Sequence, residues 1–295
     1  MRTPSLCLFA CVLAVCVATA AEDPAGRRIL FASEGAGKVM ILGKDGRIEW
    51  EYPAEMSRDA WLLPGGNVLF CYNNLYQPEK HDNPAGVMEV TAKKETVFDF
   101  RTTGQVWSCQ RLADGNTLVG ASSQGKLLLV SPAGKIVKEI PLKSQGGHSC
   151  LRNARQTATG TFLVAEESAH AIREYAADGT LIHERKVAFP PYSAVRQANG
   201  HTLACGLKSL LELDPDGATT WSLADTEVAA AGIRWFAGIQ ALPNGNIVVC
   251  NAGGKIPLFE VSRDKKIVWQ WNTRDPVLLL GHGIQLPDVP GVPLK

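Results

Sequence analysis

Arg58, Trp107, Arg152 and Tyr192 each stand eight residues ahead of a glycine, and those glycines (Gly66, Gly115, Gly160, Gly200) mark matching turns. Ala237 has the same relation to Gly245, and His282 takes the equivalent place on a later strand. Two arginines close to the imidazoles of His148 and His282 suit an anion such as sulfate or a carboxylate, because a guanidinium donates in a bidentate fork. Trp107 and Tyr192 add flat faces for a sugar or aryl ring. Asp59 and Gln240 flank the set, so the expected ligand-binding residues are Arg58, Asp59, Trp107, His148, Arg152, Tyr192, Gln240 and His282. His148, His282 and Arg152 are the candidates for chemistry, where an imidazole nucleophile needs a neighbour to orient its ring. A second reading fits the same residues equally well: they plug a wet channel by hydrogen-bonding one another.

Metal binding points elsewhere in the repeat. Apolar strands end in Asn73, Glu166-Glu167 and Asn251. Carboxylate and amide oxygens suit calcium, which makes Glu166 and Asn251 the candidate ligands. The sequence has no H-E-x-x-H, no nucleophile elbow and no phosphate-cradling glycine loop. His170, His183 and His201 fall on outer strands or turns and read as structural.

The elements that position these residues form a repeat. Residues 239–250 read I-Q-A-L-P-N-G-N-I-V-V-C, an apolar strand, a turn and a second apolar strand. Similar units occupy 61–71, 110–120 and 195–205, with a looser copy at 155–165, and the turn glycines recur at intervals of 40 to 49 residues. That period marks a propeller or a solenoid, and Asn-Gly tolerates the positive φ of a tight hairpin. A second set of turns lies at Asp45-Gly46, Lys93-Lys94, Ala133-Gly134, Asp178-Gly179, Asp216-Gly217 and Asp264-Lys265. Four residues beyond them come Trp50, Phe98, Lys138, His183, Trp221 and Trp269, a largely aromatic set that fits strands packed between stacked sheets. Six four-stranded units of about 46 residues account for the chain. The expected fold is therefore all-β, a six-bladed β-propeller spanning residues 21–295 as a single domain. The first blade lacks its first strand, and residues 281–287 echo 236–243, so a closing strand near 282–287 should complete it. Residues 73–86 and 223–235 read as surface insertions, the second Ala-rich and suited to one short helix.

Residues 1–20 carry one charge, Arg2, then an apolar run to Val17 and Ala18-Thr19-Ala20 ahead of Glu22-Asp23. This is the pattern of a signal peptide cleaved after Ala20, so a periplasmic or extracellular protein is expected, with lipidation at Cys16 the weaker alternative. Its removal leaves the bases equal in number to the 29 acids. Such a balance argues against nucleic acid and against a polybasic membrane patch, and no second run is long enough to span a bilayer. Five cysteines remain: Cys71, Cys109, Cys150, Cys205 and Cys250. An odd number leaves at least one thiol unpaired. Cys71, Cys205 and Cys250 occupy equivalent strand positions and read as buried thiols, whereas neighbouring inner strands could bring Cys109 and Cys150 within bridging reach. A monomer is expected.

Gly46-Arg47-Ile48-Glu49-Trp50 and Gly217-Ala218-Thr219-Thr220-Trp221 share a G-x-x-x-W spacing that resembles the tryptophan-docking blades of quinoprotein (PQQ-like) propellers. The L-P-N-G-N hairpin resembles the blades of arylsulfotransferase-like propellers, and the chain from residue 21 onward resembles secreted bacterial propellers of the PQQ-like class. In arylsulfotransferases a channel histidine accepts the sulfuryl group while arginine and histidine stabilise it. The resemblance carries those roles to His148 or His282, with Arg152. The quinone itself is not expected, because this chain has no adjacent cysteine pair and is shorter than the many-bladed dehydrogenases. Calcium is the one cofactor left open. The expected function is an exported binding or scaffold module that takes a small molecule, glycan or protein at the channel mouth. The alternative is an enzyme, either arylsulfotransferase-like or a metal-dependent sugar hydrolase or lyase, and a propeller fold does not choose between them.

Overall fold

Alternating apolar strands and turns fold the chain into six sheets around a central channel, in a computed structural model that describes residues 26–73, 84–273, 275–291 and 295. The expected signal peptide (1–20) and most of the expected insertion 73–86 lie outside the described residues. Each sheet has four antiparallel strands. Blade 1 runs outward from Gly281–Gln285 through Ile29–Ser33 and Lys38–Leu42 to Ile48–Pro53. Blades 2 to 6 begin at inner strands Ala60–Leu62, Val106–Arg111, Asn153–Gln156, Ser193–Arg196 and Phe236–Ala241. Their outermost strands are Thr96–Thr103, Ile136–Pro141, Leu181–Lys186, Thr219–Ala224 and Ile267–Trp271. The ring closes as expected, with Leu30, Phe31 and Ala32 paired to Gln285, Ile284 and Gly283.

The hairpin glycines Gly66, Gly115, Gly160, Gly200 and Gly245 all have φ of +84° or +85°. Each donates its N–H to the carbonyl three residues back, as Gly245 does to Leu242 at 2.9 Å. Only the glycine is left-handed, so these are three-residue loops with a glycine bulge and not two-residue Asn-Gly turns. That is why Asp114 and Thr159 serve as well as asparagine before it. The core lies between adjacent sheets; Leu203, Cys205 and Leu210 of blade 5, for example, pack on Phe236, Ile239, Val249 and Phe259 of blade 6. Each such side chain contributes about 1.5–3 kcal/mol by leaving water.

A repeated clasp joins neighbouring blades. Glu89, Glu174, Glu212 and Glu260, on third strands, each bond the residue just past their own hairpin glycine (Asn67, Thr161, His201, Asn246). Each also pairs with an arginine of the next blade: Arg111, Arg196, Arg263 and Arg27. Three of these arginines cover a fourth-strand aromatic ring: Arg111 over Phe98 at 4.8 Å, Arg263 over Trp221 at 5.3 Å and Arg27 over Trp269 at 4.7 Å. The Nε1 groups of Trp50 and Trp221 donate across the seam to Ala92 O (3.2 Å) and Arg263 O (2.8 Å). The aromatic positions read from the second turns are thus the residues that hold blade to blade.

All five described cysteines are free and buried. The Cys109–Cys150 bridge does not form, because the two thiols face different neighbours: Cys109 Sγ lies 3.9 Å from Asp59 O and Cys150 Sγ 3.5 Å from Ser144 O. The insertion at 223–235 carries the expected short helix, a 3-10 segment over Asp225–Ala231. No helix among the described residues is long and apolar enough to cross a membrane.

Candidate functional site

The inner strands begin at one face of the ring, where bulges turn their first side chains toward the channel, as an extra residue in a ladder does. Register slips between Val106 and Ser108, between Phe236 and Gly238, and between Gly281 and Gly283. Trp107, Ala237 and His282 are the residues left out of the ladder. Arg152 and Tyr192 donate N–H to Ala165 O (2.9 Å) and Cys205 O (2.7 Å), partners already opposite Asn153 and Ser193. Glycine lets these strands crowd together: a Cβ on Gly238 would meet His282 O at 2.3 Å, and one on Gly283 would meet Arg58 O at 2.9 Å.

The result is a ring to which every blade contributes one side chain: His282, Arg58, Trp107, Arg152, Tyr192 and Trp235. Ala237 holds the position counted from the sequence and lines the cavity, but its methyl group is too short to face the other five. Trp235, two residues earlier, takes the aromatic place, stacked on Tyr192 (6.0 Å, 17° between planes) and 6.2 Å from His282. Arg58 lies 4.1 Å over Trp107, while Arg152 sits 5.2 Å from Tyr192 and 5.7 Å from Trp107. Two carboxylates fix the guanidiniums: Glu34 takes Arg58 Nε at 2.8 Å and Glu167 takes Arg152 Nε at 2.5 Å. Tyr192 OH adds a long donation to Glu167 at 3.4 Å. His148 stands at the rim, edge-on to Trp107 at 5.4 Å, with Nδ1 3.1 Å from Gln105 Oε1.

Burial and charge keep both imidazoles neutral. His148, exposed at the rim but with its ring against Trp107, is pushed down to about 4 by partial desolvation first, then by Arg152 and Arg58. The same causes hold His282 well below the usual histidine range, a contact with the Leu280 backbone acting the other way. Burial, assisted by Glu167, raises the Tyr192 hydroxyl. Burial also lowers Arg58, against the pull of Glu34. Among the described residues four polar atoms here have no hydrogen bond of good geometry: Arg152 Nη1, Trp235 Nε1 and both nitrogens of His282, whose approach to the Leu280 backbone falls short of one. Glu34 Oε2 stands 3.6 Å from His282 Nδ1, too far for a hydrogen bond, and a neutral ring makes no ion pair. Side-chain satisfaction is the rule for buried polar groups, so this cluster of exceptions needs a reason.

Below the ring lies a cavity of about 30 Å³, with room for about two waters, walled by Arg58, Arg152, Tyr192 and His282 and by a second tier of Asp59, Arg155 and Lys295. Asp59 accepts from Arg155 Nη1 (2.7 Å) and Nη2 (3.0 Å), Lys295 Nζ (3.0 Å) and Cys109 N (3.1 Å). Burial acts to raise its carboxyl, but Arg155 and Lys295 outweigh burial and hold it below the usual range. Gln240 acts between blades, its Oε1 accepting from Leu286 N at 2.8 Å; Gln110 takes Gln156 N at 2.8 Å and Gln285 takes Leu62 N at 2.9 Å in the same manner.

The expected metal ligands lie in different blades, each with close partners. Glu166 accepts from Tyr175 OH (2.5 Å), Ser144 N (3.2 Å) and Arg173. Asn251 bonds Arg234 N, Ala231 O and Ile256 O. Among the described residues no group of three or more His, Cys, Asp or Glu is arranged to hold a metal ion. Sequence reasoning missed Trp235, Glu34, Glu167 as an arginine partner, and Lys295. Glu34 and Glu167 share a signal, each directly following the second strand of its blade, Ile29–Ser33 or Phe162–Glu166.

No family model and no curated protein matches the sequence. Solved propellers do match in shape. A protein of unknown function from Bacteroides caccae superposes with a TM-score of 0.75 at 21% identity, over 92% of this chain and 99% of its own. A streptogramin B lyase follows with a TM-score of 0.63 at 14% identity, covering 90% and 88%. A catalytically inactive variant of virginiamycin B lyase from Staphylococcus aureus, solved with quinupristin, gives 0.59 at 12% identity, covering 86% and 87%. At these identities the likeness shows the β-propeller fold and no narrower family.

Proposed function

We propose that this chain is a propeller binding module whose channel mouth takes a small molecule or glycan carrying an anionic, acceptor-rich group, a carboxylate or a sulfate, next to a planar or sugar ring. The unpartnered Arg152 Nη1 and Trp235 Nε1, with the one N–H of the neutral His282 ring beside them, carry this reading. Buried donors without partners are costly, each on the order of 1–3 kcal/mol, and a ligand that presents oxygens relieves that cost. The Tyr192–Trp235 stack supplies the flat surface beside them.

A thermal-shift series of aryl carboxylates, aryl sulfates, uronates and neutral oligosaccharides tests it. At ~100 times its dissociation constant a ligand specific to the folded state adds about 2.7 kcal/mol. An anionic ligand should do so in the wild type and lose most of the effect in Arg152→Ala. Shifts from neutral sugars alone, or an undiminished shift in Arg152→Ala, would overturn the assignment.

A catalytic reading draws on one observation, the neutral imidazole of His282 in the same ring as the guanidiniums of Arg58 and Arg152, both of which act on it. An aryl sulfate would then be hydrolysed, its sulfuryl group passing to the ring nitrogen as the phenolate leaves, and water then cleaving the S–N bond to release sulfate and restore the imidazole. Hydrolysis of a chromogenic aryl sulfate that survives His148→Ala and vanishes in His282→Ala would support this; equal inertness of all three proteins excludes it.

A further inference from the structure

The second tier of the channel has the form of a receptor with its guest in place. Lys295 belongs to none of the six sheets, yet it is only 4% exposed. Its ammonium lies 3.0 Å from Asp59 Oδ1 and 4.1 Å from the centroid of Trp61. Its main-chain oxygen accepts from Arg155 Nε at 2.5 Å. The receiving groups are built into the ring independently of it. Asp59 is oriented by Arg155 Nη1 and Nη2 and by the Cys109 N–H. Trp61 is oriented by the donation of its Nε1 to Cys109 O at 2.6 Å and by Arg155, 5.0 Å over its ring. A fixed carboxylate beside an indole face is the chemistry that recognises a compact ammonium ion. A guanidinium Nε held at the far side reads an oxygen acceptor, and the two features stand one lysyl residue apart.

We infer that Asp59, Trp61 and Arg155 form a lysyl-recognition pocket, a site for a primary alkylammonium group presented with an oxygen acceptor, which Lys295 fills in cis. Lys295 also walls the cavity beneath Arg152 and His282. When it leaves, that cavity and the pocket become one recess with a carboxylate at its base. The pocket is distinct in charge from the anion-binding mouth, so each is tested without the other.

The test is thermal denaturation of the full chain with n-butylammonium chloride as the probe, against sodium chloride at equal ionic strength. Lys295→Ala empties the pocket while leaving Asp59, Trp61 and Arg155 intact. At about ten times its dissociation constant the amine should then raise Tm by roughly 3 °C in this variant. It should do nothing in the wild type or in Lys295→Ala/Asp59→Asn. No rise in Lys295→Ala, or an equal rise in all three proteins, overturns the inference. A second measurement needs no variant: brief acetylation of the native chain followed by peptide mapping should label Lys208 and Lys44, both more than half exposed, at least tenfold faster than Lys295. Labelling of Lys295 at their rate also overturns it.

Discussion

Asp59→Asn isolates the electrostatics of the channel from its packing, since the two side chains have the same shape. The wild-type carboxylate collects four donors, two from Arg155 and one each from Lys295 and the Cys109 backbone. Arg155 is 7% exposed and Lys295 4%. An amide in its place leaves two buried cations without a counter-ion and turns its own N–H groups on donors. Breaking a buried pair from one side costs about 3–5 kcal/mol. For a domain of this size that is a fall in Tm of about 6–20 °C. The pH dependence has a definite sign. The folded-state pKa of Asp59 is lowered, so its contribution is complete above the unfolded value of about 3.9 and is lost only as pH falls through the lower folded value. Urea titrations at pH 7 give the loss directly. Adding Arg155→Met and Lys295→Met to Asp59→Asn should recover at least half of it, because replacing a whole buried ionic cluster by apolar groups is close to neutral. A loss below about 1 kcal/mol for Asp59→Asn, or no recovery in the triple variant, would refute the reasoning.

The seams and the rim offer further checks. Trp221→Phe keeps the ring under Arg263 but removes the donation to Arg263 O, so urea unfolding should show a loss of about 0.5–1.5 kcal/mol. Deleting residues 281–295 strips the inner strand from blade 1 and exposes the edge of Ile29–Ser33; light scattering should show aggregates where the full chain is monodisperse. His148 and His282 have folded pKa values below the unfolded value of about 6.5, so both should subtract stability as pH falls from there toward 4. His148→Gln/His282→Gln should flatten that part of the stability–pH curve.

The fold was legible because each repeat writes its punctuation in residues that have few substitutes. A left-handed φ at Gly66, Gly115, Gly160, Gly200 and Gly245 demands glycine whatever precedes it; the fixed count from there to the channel located Arg58, Trp107, Arg152 and Tyr192, and the echo of 236–243 in the closing strand located His282. The count failed to yield a functional side chain at Ala237, where a neighbour from the preceding loop, Trp235, does the work of the missing ring. A spacing rule tracks backbone positions, and an aromatic side chain long enough to reach the channel from two residues away escapes it. The roles of Asp59 and Gln240 were also beyond reach. Both were expected at the ligand, but what they meet (Arg155 and Lys295 for the one, Leu286 N for the other) depends on which strands adjoin across the ring. Lys295 has no periodic context at all, and nothing in its sequence neighbourhood forecasts a place beside Asp59.

The mouth ring takes one side chain from every sheet, and the one from blade 1, His282, rides on the strand that shuts the circle. Binding at the mouth, as proposed, would therefore be linked to closure of the ring: a ligand that needs His282 would bind only the closed form, and its binding energy would add to the seam of blade 1, whose two inner strands no hairpin joins. Thermodynamic reciprocity requires the converse, that a change weakening the contact of Gly281–Gln285 with Ile29–Ser33 weakens ligand affinity by the same factor. In this architecture affinity is a gauge of whether the circle is intact.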